Sequence, residues 1–453
     1  MNISHTHTDN ICAISSPVGI GGVALIRVSG VTSIQLVNKV FSKNIIEAKG
    51  YTAHFGSIID EKQIIDEVIV TVFKAPKSYT GENSVEISCH GSTFIQHKII
   101  ELLVKKGARI ANPGEFSQRA FLNGKMDLSQ TEAVADLIHA KSNAAHEIAI
   151  HQMKGGFSSE LKILREKLIE FASLVELELD FAEEDVEFAD RKQLNNLVAN
   201  LTNHIGNLKT SFKYGNAIKN GVQTVIAGRP NAGKSTLLNK LLKEERAIVS
   251  NQPGTTRDTI EEIIIINGIE FRLIDTAGVR NADDKVEILG VERTFQKIAT
   301  SSIFIYIYDV SNTSIKEVEN DLIELNKTNI PTIVIANKID LLDAQKDIPT
   351  EHLKLSAKKE ENIVELTNAI YDLFIQQGDS FEGTIITNLR HYEALENAQK
   401  SLEKVNTGLQ QKISGDLLAM DIREVLHHIG SITGDISSDE LLGNIFANFC
   451  IGK

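Results

Sequence analysis

The sequence is short of the features that mark a membrane protein or a chain built for an oxidising compartment. Among 453 residues there are three cysteines, Cys12, Cys89 and Cys450. None is spaced as a CxxC pair, which argues against a disulfide framework or a thiolate metal site. No apolar run approaches the roughly 18 to 20 residues that span a bilayer, so no membrane span is expected. The opening MNISHTHTDN has no basic stretch leading into an apolar one, so no secretory leader is read there and the cytoplasm is the expected compartment. There is no internal repeat and no low-complexity linker. Positive charge is scarce too: 47 Lys and Arg stand against 60 Asp and Glu, a net charge of −13. A polyanionic partner needs local Lys and Arg to displace counterions. Residues 1–120 carry 12 Lys and Arg against 10 Asp and Glu, so the rest of the chain holds the negative charge. Much of it lies between Glu170 and Asp190, around FAEEDVEF, which reads as a solvated helix face and the loop after it. Composition neither supports nor excludes an RNA partner.

The chain is too long for one compact core, so two or three domains are expected. Its first ~120 residues read as mixed α/β, with strand-like VALIRV, EVIVTVF and SVEIS broken by turn-rich PVGIGG, APKSYTGEN and CHGS. From about residue 127 the pattern becomes helical. Ser129 and Glu132 have capping-box spacing, and Leu161, Leu164, Leu168, Phe171 and Leu174 form one amphipathic stripe. A third region opens near Gly221 with VQTVIAG. There the strands EIIII, FRLID, IFIYIYDV and TIVIAN alternate with helical stretches, the pattern of a doubly wound parallel sheet. Residues 388–450 return to helical periodicity. The expected fold class is α/β plus all-α: residues 1–124 as an N-terminal α/β domain, 125–220 and 377–453 as a discontinuous helical domain, and 221–376 as an inserted doubly wound domain. Insertion at a surface tip is the best tolerated arrangement.

The inserted region carries a guanine-nucleotide site. Gly228-Arg229-Pro230-Asn231-Ala232-Gly233-Lys234-Ser235 matches GxxxxGK[ST] between a strand and a helix, with Thr236 following. The glycines let main-chain N–H groups turn toward the β-phosphate, Lys234 reaches β and γ oxygens, and Ser235 can ligate Mg²⁺. Asp275-Thr276-Ala277-Gly278 follows FRLID, where the Asp can hold Mg²⁺ through water and the Gly N–H can meet the γ-phosphate. Asn337-Lys338-Ile339-Asp340 ends TIVIAN, and Asp340 can accept N1–H and N2–H₂ of guanine, a donor pair adenine lacks. Ser356-Ala357-Lys358 would close over the base, and Gly254-Thr255-Thr256-Arg257-Asp258 lies where a switch loop supplies a hydroxyl to Mg²⁺. Each element sits at the carboxyl end of a strand or in the loop after it, where open α/β sheets bind ligands. GTP binding follows from the set.

Hydrolysis is less plainly written. Many GTPases place a glutamine directly after DxxG to orient water; here the position is Val279. No arginine is obviously placed as a finger in cis; Arg257 and Arg280 are candidates, but each reads more readily as a surface or switch residue. A monovalent cation near Asn231 is the other option.

With these residues in hand, the chain resembles the bacterial and organellar tRNA-modification GTPases of the MnmE (TrmE) family over its whole length. The C-terminal Cys450-Ile451-Gly452-Lys453 and the strings GGVALIRVSG, SYTGENSVEISCHG and NPGEFSQRAFLNGKMDLSQTEAVADLI carry the resemblance. It implies an N-terminal folate-binding domain, a discontinuous helical domain and an inserted Ras-like P-loop GTPase domain. It also implies GTP hydrolysis that powers modification at C5 of the wobble uridine of certain tRNAs, shared with a partner flavoprotein, MnmG, that alone carries FAD. The one-carbon donor would be a 5-formyl- or methylene-tetrahydrofolate. Carried over residue by residue, Asn231, Ser250, Gln252 and Thr255 would hold K⁺ in place of an arginine finger. Ser235 and Thr256 would hold Mg²⁺, and Glu287 would organise the attacking water. Arg27, Glu82 and Lys125 would bind folate, with Lys453 reaching in from the C-terminus, and the chain would form a homodimer and a heterotetramer with its partner.

Cys450 could attack a pyrimidine ring as a thiolate, or be a small apolar residue packed near the chain end. The competing function is a GTP-dependent ribosome-assembly or signalling switch without modification chemistry; it has no need of the CIGK terminus or a folate-type domain.

Overall fold

The computed structural model of the chain describes residues 9–17, 19–180, 191–244, 261–275, 296–325, 327, 329–342, 347–376, 384–411, 413–436, 439–447, 449–450 and 452. Two compact units emerge, one of residues 1–138, 150–189 and 414–453, the other of 139–149 and 190–413.

The first unit begins with β1 (Asn10–Ile14), β2 (Gly21–Ser29), α1 (Ser33–Asn38), β3 (Thr52–Asp60), β4 (Gln63–Phe73) and β5 (Ser84–Gly91). Helix α2 (Thr93–Lys105), β6 (Ala108–Ile110), α3 (Glu115–Leu122) and α4 (Leu128–His139) follow. The six strands form one sheet in the order β3-β4-β5-β2-β1-β6, antiparallel except for the parallel β1–β6 pair. Strict alternation divides its faces. Ala24, Ile26 and Val28 of β2 join Val85, Ile87 and Cys89 of β5 in the main core beneath α1 and α2. Arg27 and Ser29 therefore lie on the other face, with Glu86 opposite Arg27 in the ladder.

Helix α4 corrects the expected cap. The capping box is Asp127 and Gln130, two residues earlier than Ser129 and Glu132. Asp127 Oδ1 accepts the Gln130 N–H at 2.9 Å, and Gln130 Oε1 accepts the Asp127 N–H at 2.9 Å. Ser129 lies inside the helix and donates its hydroxyl back to Asp127 at 2.7 Å. Both candidates have the spacing, and the aspartate wins because its carboxylate accepts from both the Gln130 amide and the Ser129 hydroxyl.

Helix α5 (Asn143–Met153) is followed by α6 (Gly156–Asp180), where Phe157, Leu161, Leu168, Ala172 and Val175 are buried; Leu164, Phe171 and Leu174 flank that stripe, half-buried. The second unit takes α7 (Arg191–Asn220), β7 (Val222–Gly228), α8 (Lys234–Glu244), β8 (Glu261–Ile266), β9 (Ile269–Asp275) and β10 (Ile303–Asp309). Helix α9 (Ile315–Leu325), β11 (Thr332–Asn337), β12 (Leu353–Leu355), α10 (Ile363–Gln376) and α11 (Leu389–Gln411) complete it. The sheet order is β12-β11-β10-β7-β9-β8, parallel except for the β8–β9 hairpin. Every residue of β10 is buried. Its Ile303, Ile305 and Ile307 enter one core and its Phe304, Tyr306 and Tyr308 the other, as a sheet covered on both faces requires. Helix α7 packs on α11. In the first unit α6 packs on α12 (Gly415–Thr433), and α13 (Asp439–Ala447) packs on α3.

Candidate functional site

Strand β7 delivers the phosphate loop at Gly228. A Cβ there would lie 2.0 Å from the Ile307 carbonyl oxygen on β10, so only glycine lets the chain leave the sheet at this point. Four residues on, Ala232 is buried and Gly233 has φ +96, with the place of its missing Cβ 2.2 Å from Asn337 Nδ2. Between the two glycines Asn231 takes φ 61 and is exposed. Lys234 opens α8, and its Nζ donates to the carbonyls of Gly228 at 2.6 Å and Arg229 at 2.9 Å, holding the ammonium over its own loop. Ser235 and Thr236 are exposed on the first turn of α8, the positive end of the helix. Asp275 ends β9 and is in register with Ile226 of β7, which brings its main chain beside the loop.

The base end is built by β11. Asn337, buried, donates from Nδ2 to the Ala232 carbonyl at 2.7 Å and accepts the Ala357 N–H on Oδ1 at 3.0 Å. Lys338 takes φ 67 and donates to Asp309 Oδ2 at 2.7 Å. Burial works against the charge of Asp309, but Lys338 and the Ser311 donors overcome it and keep its carboxyl below the ordinary carboxylate range. Asp340 accepts the Ser356 hydroxyl at 2.6 Å; that bond holds its carboxyl below its ordinary value, so it stands ready as an ionised acceptor. Ser356 and Ala357 are buried, and Lys358 is exposed. The structure therefore brings Asn231 to Ser235, Asn337 to Asp340 and Ser356 to Lys358 together at the carboxyl ends of β7 and β11. Ser250, Gln252, Thr255, Thr256, Thr276, Ala277, Gly278 and Glu287 lie outside the described residues, as do Arg257 and Arg280. The exposed oxygens of Asn231 and Ser235 are the donors that hard cations such as K⁺ and Mg²⁺ take.

In the other unit, Arg27 donates to Glu86 Oε1 from Nε at 3.0 Å and from Nη2 at 2.9 Å. Its guanidinium lies 5.2 Å from the Tyr79 ring centroid and 5.7 Å from that of Phe116. The C-terminal segment reaches the same place. The Gly452 carbonyl accepts from Ser15 Oγ at 3.0 Å and from Arg27 Nη1 at 3.4 Å, and the Cys450 carbonyl accepts the Gly114 N–H at 3.3 Å. Cys450 is exposed, whereas Cys12 and Cys89 are buried, and burial pushes both of those thiols up to about 11. Lys453 lies outside the described residues. Lys125 is exposed and donates to the Pro76 carbonyl at 3.1 Å. Glu82 is buried and faces inward, accepting from Ser29 Oγ at 2.8 Å and from Arg119 Nη1 at 3.3 Å. Arg119 also holds Asp9 at 2.6 Å and Glu115 at 3.0 Å. Sequence reasoning named Glu82 but missed the cluster around it, because Asp9, Ser29 and Arg119 lie far from it in the chain and only the fold brings them together.

A doubly wound sheet that collects a phosphate loop, an NKxD loop and an SAK loop at the carboxyl ends of its strands defines a P-loop guanine-nucleotide-binding protein. Comparison with known proteins narrows the class. The family model described as "MnmE helical domain" matches residues 128–450, and "GTP-binding protein TrmE N-terminus" matches residues 10–125. A tRNA modification GTPase MnmE of Cytophaga hutchinsonii is 53% identical over 99% of this chain and 98% of its own length. Those of Flavobacterium johnsoniae and Flavobacterium psychrophilum are 49% and 50% identical, each over 98% of this chain and 99% of their own. The chain belongs to the MnmE family of tRNA modification GTPases: it is a GTPase that acts in tRNA modification. Among the described residues no helix is long and apolar enough to cross a membrane.

Proposed function

We propose that the chain is the GTP-hydrolysing subunit of a cytoplasmic complex that adds an aminomethyl or carboxymethylaminomethyl group at C5 of the wobble uridine of certain tRNAs. An MnmG-like flavoprotein supplies FAD, and a 5-formyl- or methylene-tetrahydrofolate supplies the one-carbon unit. The observation that carries this reading is the docking of the C-terminal segment on the folate-type unit. Gly452 is gripped by Arg27 and Ser15 while Cys450 stays exposed, an arrangement a bare nucleotide switch has no use for.

In this reading the main chain of Asn231 to Gly233 with Lys234 cradles the phosphates, and Asp340 accepts the guanine donors. Thr236, Asp275 and Thr276 to Gly278 line the phosphate end, while Asn337, Lys338 and Ser356 to Lys358 shape the base pocket. Mg²⁺ on Ser235 and Thr256, and K⁺ on Asn231, Ser250, Gln252 and Thr255, neutralise the charge that develops on the phosphates. Glu287 orients the attacking water. Arg27, Lys125 and Lys453 suit the glutamyl carboxylates of a folate, and Glu82 suits pterin donors. Its present partner Arg119 holds the Glu82 carboxylate in place. Homodimer formation and a heterotetramer with the flavoprotein belong to the same reading.

The test is mass spectrometry of tRNA nucleosides from cells lacking the gene, complemented by the intact chain or by one without residues 450–453. The intact chain should restore the C5 substituent and the truncated one should not, while both hydrolyse GTP. Unchanged nucleosides in the deletion strain would leave the GTPase without this purpose.

A further inference from the structure

The phosphate loop holds a charge that no phosphate is needed to explain. Arg229, its second residue, directs its guanidinium at helix α9. Nε and Nη2 donate to the two oxygens of Asp321 at 2.7 and 3.1 Å, and Nη1 donates to Glu317 Oε1 at 2.5 Å. Both carboxylates are themselves held. Tyr306 of β10 donates its hydroxyl to Asp321. Glu317 accepts the Ser314 N–H at 2.9 Å and its hydroxyl at 2.7 Å, a capping box at the start of α9. The Ser314 donors, with Arg229, bring the Glu317 carboxyl down to about 2. Burial opposes the charge on Asp321, but Arg229 and Tyr306 outweigh it. These are fixed groups, and the arginine bonds to them as a planar fork.

A loop with glycine at 228 and 233 must be held still before its N–H groups can meet a phosphate without an ordering cost. Asn337 fixes it at Ala232. We infer that Arg229 is the second fixing point, a positioning residue that sets the phosphate loop through Glu317 and Asp321. Two carboxylates answer its one positive charge, so it gives the nucleotide loop geometry and no attraction. The inference rests on assigning residues 228–236 to the phosphates.

Geometry and charge predict opposite signs. Replacing Glu317 and Asp321 by Gln and Asn removes two negative charges close to where a polyanion binds. On Coulomb grounds alone GDP should bind more tightly. If the acids act by fixing Arg229, GDP binds more weakly. The measurement is competition of GDP and of GMP against a fluorescent GDP for the full chain, with Arg229→Ala, Glu317→Gln/Asp321→Asn and the combined variant. Each pair or single variant should raise the GDP dissociation constant about fivefold, the upper end for ion pairs of this exposure. The combination should add nothing further, and GMP, which lacks a β-phosphate, should lose less than twofold. Arg229→Lys, which keeps the charge but not the fork, should sit between wild type and Arg229→Ala. Tighter or unchanged GDP binding, additive losses, or an equal loss for GMP would each overturn the inference. Glu317→Gln alone, which retains an acceptor for the Ser314 donors, is judged by the same affinities should the double variant unfold. No GDP binding by the wild type would sink the nucleotide-site assignment itself, a distinct outcome.

Discussion

Asn337 donates at 2.7 Å to the carbonyl of Ala232, and so ties the first residue after the asparagine of the phosphate loop to the end of β11. Its Oδ1 takes the N–H of Ala357 at 3.0 Å. One buried side-chain amide thus joins the loops assigned to phosphate, guanine and base closure, and its geometry is complete in the protein alone.

Asn337→Ala leaves a buried carbonyl and a buried N–H without their partner. Each such loss costs about 1–3 kcal/mol. GDP affinity should fall at least tenfold, read by calorimetry or by a fluorescent nucleotide. An unchanged affinity would mean that the three loops hold their places without this residue.

Gly233→Ala tests the same junction from the other side. Its Cβ would stand 2.2 Å from Asn337 Nδ2, at a backbone φ of +96 that L side chains rarely adopt. Either the loop or the asparagine must move, so nucleotide binding should fail while the far-ultraviolet dichroism of the folded chain persists. Full GDP binding by this variant would show that the loop has slack.

Much of this site was legible in the sequence because each nucleotide loop is a short local string whose chemistry fixes the residue types. Gly228 is required by the approach of Ile307, and Asp340 was read as the acceptor that the donors of guanine would need. The strands around them could be read from their β-branched runs. What could not be read was anything decided by distant partners. The partners of Arg229 stand some ninety residues away, and Glu82, read as a pterin acceptor, is met in the fold by Arg119. The helical cap failed for a different reason: Asp127/Gln130 and Ser129/Glu132 both have the spacing, and only the observed hydrogen bonds choose between them.

Asp340→Asn replaces an acceptor-only carboxylate with a group that presents a donor to the guanine N1–H and N2–H₂. The Ser356 hydroxyl keeps the native carboxyl ionised. Competition of GDP and xanthosine diphosphate for the variant should reverse the native preference, since xanthine offers an acceptor where guanine offers N2–H₂. Retained guanine preference would remove Asp340 from base recognition.

Glu115 gives a prediction in pH. Burial raises its pKa, but Arg109, the Asn112 N–H and Arg119 together bring it below its ordinary value of 4.5. A carboxylate whose folded pKa lies below its unfolded one stabilises above the unfolded value and loses that contribution as pH falls through the folded value. The melting temperature of the chain should therefore drop as pH is lowered below about 4.5, and Glu115→Gln should be less stable at neutral pH but show a shallower acid slope. Parallel slopes for the two proteins would exclude Glu115 as a source of the acid sensitivity.

Gly452 is where the C-terminal segment either docks or does not. Its φ is +94, and a Cβ would lie 2.4 Å from the Ile14 carbonyl oxygen and 3.0 Å from Ser15 Cα, both main-chain atoms that cannot swing aside. Gly452→Ala should therefore break the contact of its carbonyl with Ser15 and Arg27 and displace Cys450, with every side chain of the nucleotide site unchanged. Arg27, losing one acceptor, still keeps Glu86 and its two aromatic neighbours, so the sheet should stay folded. GTP turnover is expected to hold within twofold of wild type, whereas tRNA nucleosides from complemented cells should lack the C5 substituent. A variant that restores modification would show that the segment acts without this docking, and one that loses GTP turnover to the same degree would show that the two activities are not separable at this residue.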